Sequence, residues 1–115
     1  VILVNQTNGI PVVQVEGDTL DATNSDTFKE EMSELVREPY RVVFDMTNLR
    51  FVDSAGLGAV LSIVRKLREH GGDLVVAGVS KPVRVLFEIV RLHKVVHIFD
   101  YQERALASFD PASTD

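Results

Sequence analysis

The sequence predicts a single α/β domain, a small mixed β-sheet with helices packed on it, in the order ββαβαβαβα. Three observations carry that expectation. The apolar period switches several times between about two and about 3.6 residues, the repeats of strands and helices. Asn8-Gly9, set between two apolar runs, is a strong signal for a two-residue β-hairpin. A chain of 115 residues with 45% apolar and 25% charged side chains fits one core rather than two lobes.

The hairpin joins residues 1–4 to residues 10–17, "IPVVQVEG". In its second strand Val13 and Val15 alternate with Gln14 and Glu16, so one face is expected to be wet. Residues 21–38 follow, with Phe28, Met32, Leu35 and Val36 on one helical face, Thr23, Asn24 or Ser25 available as the cap, and Pro39 as the stop. "RVVFDM", residues 41–46, reads as a buried strand. After Ser54, the stripe Leu57, Val60, Leu61, Val64 and Leu67 predicts a helix that Gly71-Gly72 ends. Residues 73–79 form the next strand, and Ser80 with Pro82 opens a helix carrying Val83, Leu86, Phe87 and Val90. "VVHIFD", residues 95–100, is the last strand and residues 101–109 a short closing helix. The domain is expected to span residues 1–109, leaving residues 110–115 as a frayed tail. No coiled-coil repeat or extended edge points to an obligate dimer.

Composition narrows the function. A chain without cysteine forms no disulfide, no thiolate zinc site and no cysteine nucleophile. A formal net charge of −5 opposes general affinity for nucleic acid or anionic lipid. The apolar runs are too short to span a membrane, and the first residues carry neither a basic flank nor a cleavage pattern. The expected setting is cytoplasmic.

The stretch "RFVDSAGLGAV", residues 50–60, carries the candidate chemistry. A nucleophile elbow needs G-x-S-x-G, yet Val52 stands where its first glycine belongs. Of the histidines His70, His93 and His97, the first lies sixteen residues past Ser54, roughly 24 Å along a helix. A dinucleotide fingerprint fails at Leu61, where its third glycine would stand, and no Gly-Lys-Ser/Thr is present. Asp53 would repel a phosphate at that turn. Asp18, Asp21, Asp26, Asp45 and Asp53 are scattered without the spacing of a calcium loop. No cofactor or metal is expected.

What remains is a cap and a surface. Asp53 or Ser54 at a helix N-cap contributes about 1 kcal/mol. Gly56 and Gly58 early in the same helix cost about 1 kcal/mol each relative to alanine. Two glycines beside a hydroxyl give a partner close access, which favours a serine that is acted upon.

"FVDSAGLGAV", followed by a helix, Gly-Gly, a strand and "VSKPVRVLFEIVRLHKVVHIF", strongly resembles the STAS domain, and within it the anti-sigma factor antagonists. The resemblance covers nearly the whole chain, and D-S-x-G-L-G is its specific part. It implies that Ser54 is phosphorylated by an anti-sigma factor that is a serine kinase of the GHKL type, with Asp53 as the acid beside it. Where relatives often carry a second hydroxyl, Ala55 stands here. Asp21, in "GDTLDA", matches the family's loop aspartate that contributes to kinase contact; one extra residue there leaves Asp18 as an alternative. Gly56, Leu57 and Gly58 are expected within the partner surface, with Asp21 at its edge. Arg91-Leu92 replaces the family's usual Gly-Leu after the third helix. The resemblance further implies a PP2C-type phosphatase as the resetting partner. The competing readings are a STAS scaffold that is never phosphorylated, a switch with a client other than sigma, and a small nucleotide-binding or hydrolytic protein.

Overall fold

The computed structural model describes residues 1–110. Strands β1 (Ile2–Thr7) and β2 (Ile10–Val15) form the antiparallel hairpin. Asn8 (φ 54°) and Gly9 (φ 77°) both take the left-handed conformation that a two-residue turn matched to strand twist requires. After β2 come β3 (Thr19–Leu20), α1 (Ser25–Ser33), β4 (Arg41–Asp45), β5 (Phe51–Val52), α2 (Ser54–Arg68) and β6 (Asp73–Ala77). The chain continues through α3 (Lys81–Ile89), a 3₁₀ turn (Leu92–Lys94), β7 (Ile98–Phe99) and α4 (Gln102–Ala107). The expected α/β order is present, with three insertions that periodicity did not reveal: β3, β5 and the 3₁₀ turn. The expected tail lies, beyond Asp110, outside the described residues.

The main sheet runs β1-β2-β4-β6-β7, antiparallel at the hairpin and parallel elsewhere. β3 and β5 pair with each other, in parallel, as a separate two-stranded unit. The larger core packs Val13, Val42, Phe44, Leu74 and Val76 of the sheet against Phe28 and Met32 of α1, Val60, Ile63 and Leu67 of α2, and Phe87 of α3. Phe28 stacks on Phe44, ring centroids 5.4 Å apart.

The opposite face is not wet over its whole extent. Ile10, Val12, Val43, Val75 and Ala77 form a second buried cluster with Ala105 of α4. Asp45 is buried on β4 and accepts from Gln14 Nε2 (3.2 Å), Gln102 Nε2 (3.1 Å) and both the amide and the hydroxyl of Thr47. Those donors satisfy a buried carboxylate without a cation and tie α4 to the sheet.

Several details differ from expectation for local reasons. α1 ends at Ser33, short of Pro39, because the chain tightens into i→i+3 bonds from Glu34 N to Glu31 O (3.2 Å) and from Leu35 N to Met32 O (2.9 Å). Val95 and Val96 follow the 3₁₀ turn, with both amides bonded to Leu92 O at 2.9 Å, so the last strand keeps only Ile98 and Phe99. Ser80 does not cap α3 with its side chain; its Oγ donates to Leu49 O at 2.8 Å and fastens α3 to the loop before β5. At the corner after α3, Arg91 holds φ 59°, a left-handed conformation that favours glycine. α2 stops where expected, with the Gly71 and Gly72 amides closing on Arg68 O and Leu67 O, both at 3.0 Å.

Candidate functional site

The short parallel pair β3–β5 brings residues 18–24 beside residues 50–56. Asp18 O accepts from Arg50 N (2.8 Å) and Phe51 N (3.3 Å), and Leu20 O accepts from Asp53 N (3.3 Å). Both chains leave the pair at the same end, one into the loop before α1 and the other into α2.

Asp53 is the N-cap of α2, with extended backbone (φ −104°, ψ −173°). Its Oδ1 accepts from Gly56 N at 2.9 Å and its Oδ2 from Ala22 N at 3.1 Å. One carboxylate thus closes the helix end and pins the neighbouring loop, which is the charge-assisted use of an N-cap. Ser54 is consequently the first residue of the helix rather than its cap. It is exposed, and its hydroxyl makes no hydrogen bond among the described residues.

Asp21 folds back on its own loop. Its Oδ1 accepts from Thr23 N at 2.9 Å and from the Thr23 hydroxyl. The Thr23 hydroxyl and then the Thr23 amide hold the Asp21 carboxyl below the ordinary carboxylate range. Asn24, the residue before α1, spends its side chain on this loop instead of the helix: Oδ1 accepts from Asp21 N (2.9 Å) and Nδ2 donates to Thr19 O (2.9 Å). Asp21 adjoins Ala22, which Asp53 holds, whereas Asp18 precedes β3, at the opposite end of the pair. Among the described residues neither Asp21 nor Asp53 has a salt-bridge partner.

The remaining sequence-selected residues divide by exposure. Gly56 is buried: a Cβ there would stand 2.3 Å from Leu20 O. Gly58 is exposed, and a Cβ there would meet nothing within 4 Å. Leu57 retains only 9% of its surface and packs into the main core. Ser54 and Gly58 therefore form the accessible surface of the turn, while Gly56 and Leu57 seat the helix beneath it.

Sequence reasoning passed over Phe51, which is 53% exposed immediately before this turn. No periodic signal could have found it, since β5 is only two residues long, with Phe51 exposed and Val52 buried. Of the histidines weighed as a base for Ser54, His70 is the one just past the end of its helix. His70 stacks on Tyr40 at 4.4 Å, and its Nδ1 lies 3.0 Å from Lys66 O, at the far end of α2 from Ser54. No group of three or more histidine, aspartate or glutamate side chains suited to a metal occurs among the described residues, and no helix there is long and apolar enough to cross a membrane.

Comparison with known proteins places this geometry among relatives. Residues 1–105 match the family described as the STAS domain. The anti-sigma F factor antagonist of Paenibacillus polymyxa is 32% identical over 107 residues, covering 91% of each chain. An anti-sigma factor antagonist from Mycobacterium paratuberculosis superposes with a TM-score of 0.82 at 22% identity, over 94% of this chain and 92% of that one. The Bacillus cell fate determinant SpoIIAA, in its phosphorylated form, superposes with a TM-score of 0.70 at 20% identity, over 94% of this chain and 98% of that one.

Proposed function

Since this chain belongs to the STAS domain family, we propose that it is a cytoplasmic anti-sigma factor antagonist that works by partner switching. The unmodified form binds an anti-sigma factor that is itself a serine kinase of the GHKL type, and so frees the client that the kinase had held. The kinase then transfers the γ-phosphoryl group of ATP to Ser54: a bond forms from Oγ to phosphorus, the bond to ADP breaks, and the hydroxyl proton leaves. Binding ends, and a PP2C-type phosphatase restores the serine.

The observation that carries this reading is the Ser54 hydroxyl, exposed and unbonded on the first residue of a helix whose cap is supplied by its neighbour Asp53. A phosphate there adds about −1.5 to −2 charges at a helix end whose dipole tolerates them. A partner surface built around a neutral hydroxyl does not tolerate them: a misplaced like charge costs several kcal/mol, on the order of a thousandfold in affinity. Asp21 is favoured over Asp18 as the loop aspartate, because the loop it stabilises is the one Asp53 grips.

Affinity capture from lysate with Ser54→Ala and Ser54→Glu baits tests the switch. A GHKL-type kinase should be recovered with the alanine bait and lost with the glutamate bait. Mass spectrometry of the protein from its own cells should also place phosphate on the Ser54 peptide. Identical partners for both baits, with no phosphate on Ser54, would replace the switch with an unphosphorylated STAS scaffold.

A further inference from the structure

The outer edge of β1 is an unused hydrogen-bonding surface. β1 runs to Thr7 rather than ending at residue 4, which is why an extended edge was not expected. In the hairpin, Ile2 faces Val15, Val4 faces Val13 and Thr7 faces Ile10. The bond from Glu16 N to Val1 O (2.7 Å) fixes which residues face inward: Val1, Leu3, Asn5 and Thr7 bond to β2, so Ile2, Val4 and Gln6 direct their amides and carbonyls to the open side. Of these, the Ile2 amide is taken by Glu31 Oε1 of α1 at 2.9 Å. Among the described residues β1 pairs with no strand but β2, and Val4 and Gln6 have no partner for their outward groups.

Natural edges are usually blunted by charge, proline or a bulge. β1, "ILVNQT", has no charged residue and no proline, and the two-residue turn after it is also uncharged. Leu3 and Val4 on it are 52% and 40% exposed. The opposite edge of the sheet, β7, is only two residues long.

We propose that β1 is a self-association edge, pairing antiparallel with β1 of a second copy of this chain. The Glu31 cap on Ile2 sets the register. A pairing that uses Val4 and Gln6 but leaves Ile2 to its cap centres on Asn5: each Val4 exchanges both backbone bonds with Gln6 of the other copy, and Asn5 faces Asn5 in a close, non-hydrogen-bonded pair. Leu3 then lies against Thr7 of the other copy. This arrangement is isologous and closes as a dimer. A second copy is favoured over a foreign peptide because the pair is self-complementary, with no like charges brought together along the edge.

Asn5 at the centre provides the test. Sedimentation velocity of the full chain across a wide concentration range should show a reversible monomer–dimer equilibrium. Asn5→Lys and Asn5→Glu each place like charges directly opposite one another, so each should weaken the dimer about fivefold or more. An equimolar mixture of the two variants should restore it. Amide exchange on the unmutated chain is the companion measurement. The Val4 and Gln6 amides should become protected as concentration rises, while the Leu3 and Asn5 amides, already bonded to β2, should not change. A chain that stays monomeric at every concentration overturns the proposal. So does a dimer indifferent to both Asn5 variants, or protection of Val4 and Gln6 that appears only when another protein is added. None of these outcomes bears on Ser54, so this proposal and the switch fail separately.

Discussion

Gly56 and Gly58 lie close together on the first turns of α2 and answer to opposite constraints. At Gly56 an added Cβ would press on Leu20 O at 2.3 Å, and a backbone atom cannot easily yield, so Gly56→Ala should destabilise by about 1–3 kcal/mol. At Gly58 nothing stands within 4 Å of the added carbon, so Gly58→Ala should stabilise by about 0.5–1 kcal/mol through helix propensity alone. Urea unfolding of the two variants decides both signs. If the exposed side of Gly58 is part of the surface a kinase approaches, the more stable Gly58→Ala protein should also be the poorer phosphorylation substrate. The sequence marked the two glycines as equals, because spacing cannot tell a glycine that makes room for its own chain from one that leaves room outside it. Asp53 was legible as a cap from its place before an amphipathic run, but its second bond, to Ala22 N, was not. That bond joins residues 31 apart in sequence and depends on a tertiary approach with no local signature.

At the scale of elements, the hairpin owes part of its anchoring to a side chain from α1. Glu31 accepts from the Ile2 amide and also lies 3.2 Å from the Val1 amino group, which Glu16 approaches at 3.1 Å. The Ile2 amide, followed by the Val1 ammonium, holds the Glu31 carboxyl below its usual value of 4.5. A carboxyl depressed on folding contributes stability that is present above its unfolded value and lost as pH falls through the folded one. The thermal midpoint of the unmutated protein should therefore exceed that of Glu31→Gln near neutrality, and the gap should close on acidification below about pH 4.5. A gap that is constant with pH would mean that the carboxylate charge adds nothing. Helices and long strands were legible because each repeats its period over several residues, as Leu57, Val60 and Val64 do on α2. β3 and β5 are two residues each, too short to show alternation, yet they build the site. The corner at Arg91 was visible only as a departure from the family's glycine; its φ of 59° gives that departure a physical meaning, since a side chain there carries a backbone strain of about 1–2 kcal/mol.

For the whole molecule, the separation of the core from Ser54 sets what a modification there can do. Ser54 is exposed, while the residues that hold the fold, such as Phe28 against Phe44, lie wholly beneath the helices. Ser54→Glu should thus leave unfolding free energy within about 0.5 kcal/mol of the parent, whereas Phe28→Ala should cost about 3–5 kcal/mol, a large part of the 5–15 kcal/mol typical of a domain. Chemical denaturation of the two variants checks this. A large loss for Ser54→Glu would make the switch a folding event rather than a change of surface. The α/β order and the covering helices could be anticipated because burying both faces of a parallel sheet demands them. That α4 covers the second face could not, because part of its hold on the sheet is the Asp45–Gln102 bond, between polar side chains 57 residues apart whose pairing has no local signature.

The double grip of Asp53 has a consequence for erasure. A phosphate on Ser54 would normally recruit the nearest free amide of the helix start, and the Gly56 amide is the obvious candidate. Asp53 already occupies it, and among the described residues no arginine or lysine forms a salt bridge with this turn. A phosphate there would be denied that donor, while standing on an exposed residue that a hydrolase can reach. With that amide spent on Asp53, a mark written at this position would lose one of the donors that could shelter it, and its lifetime would depend the more on the enzymes around the protein.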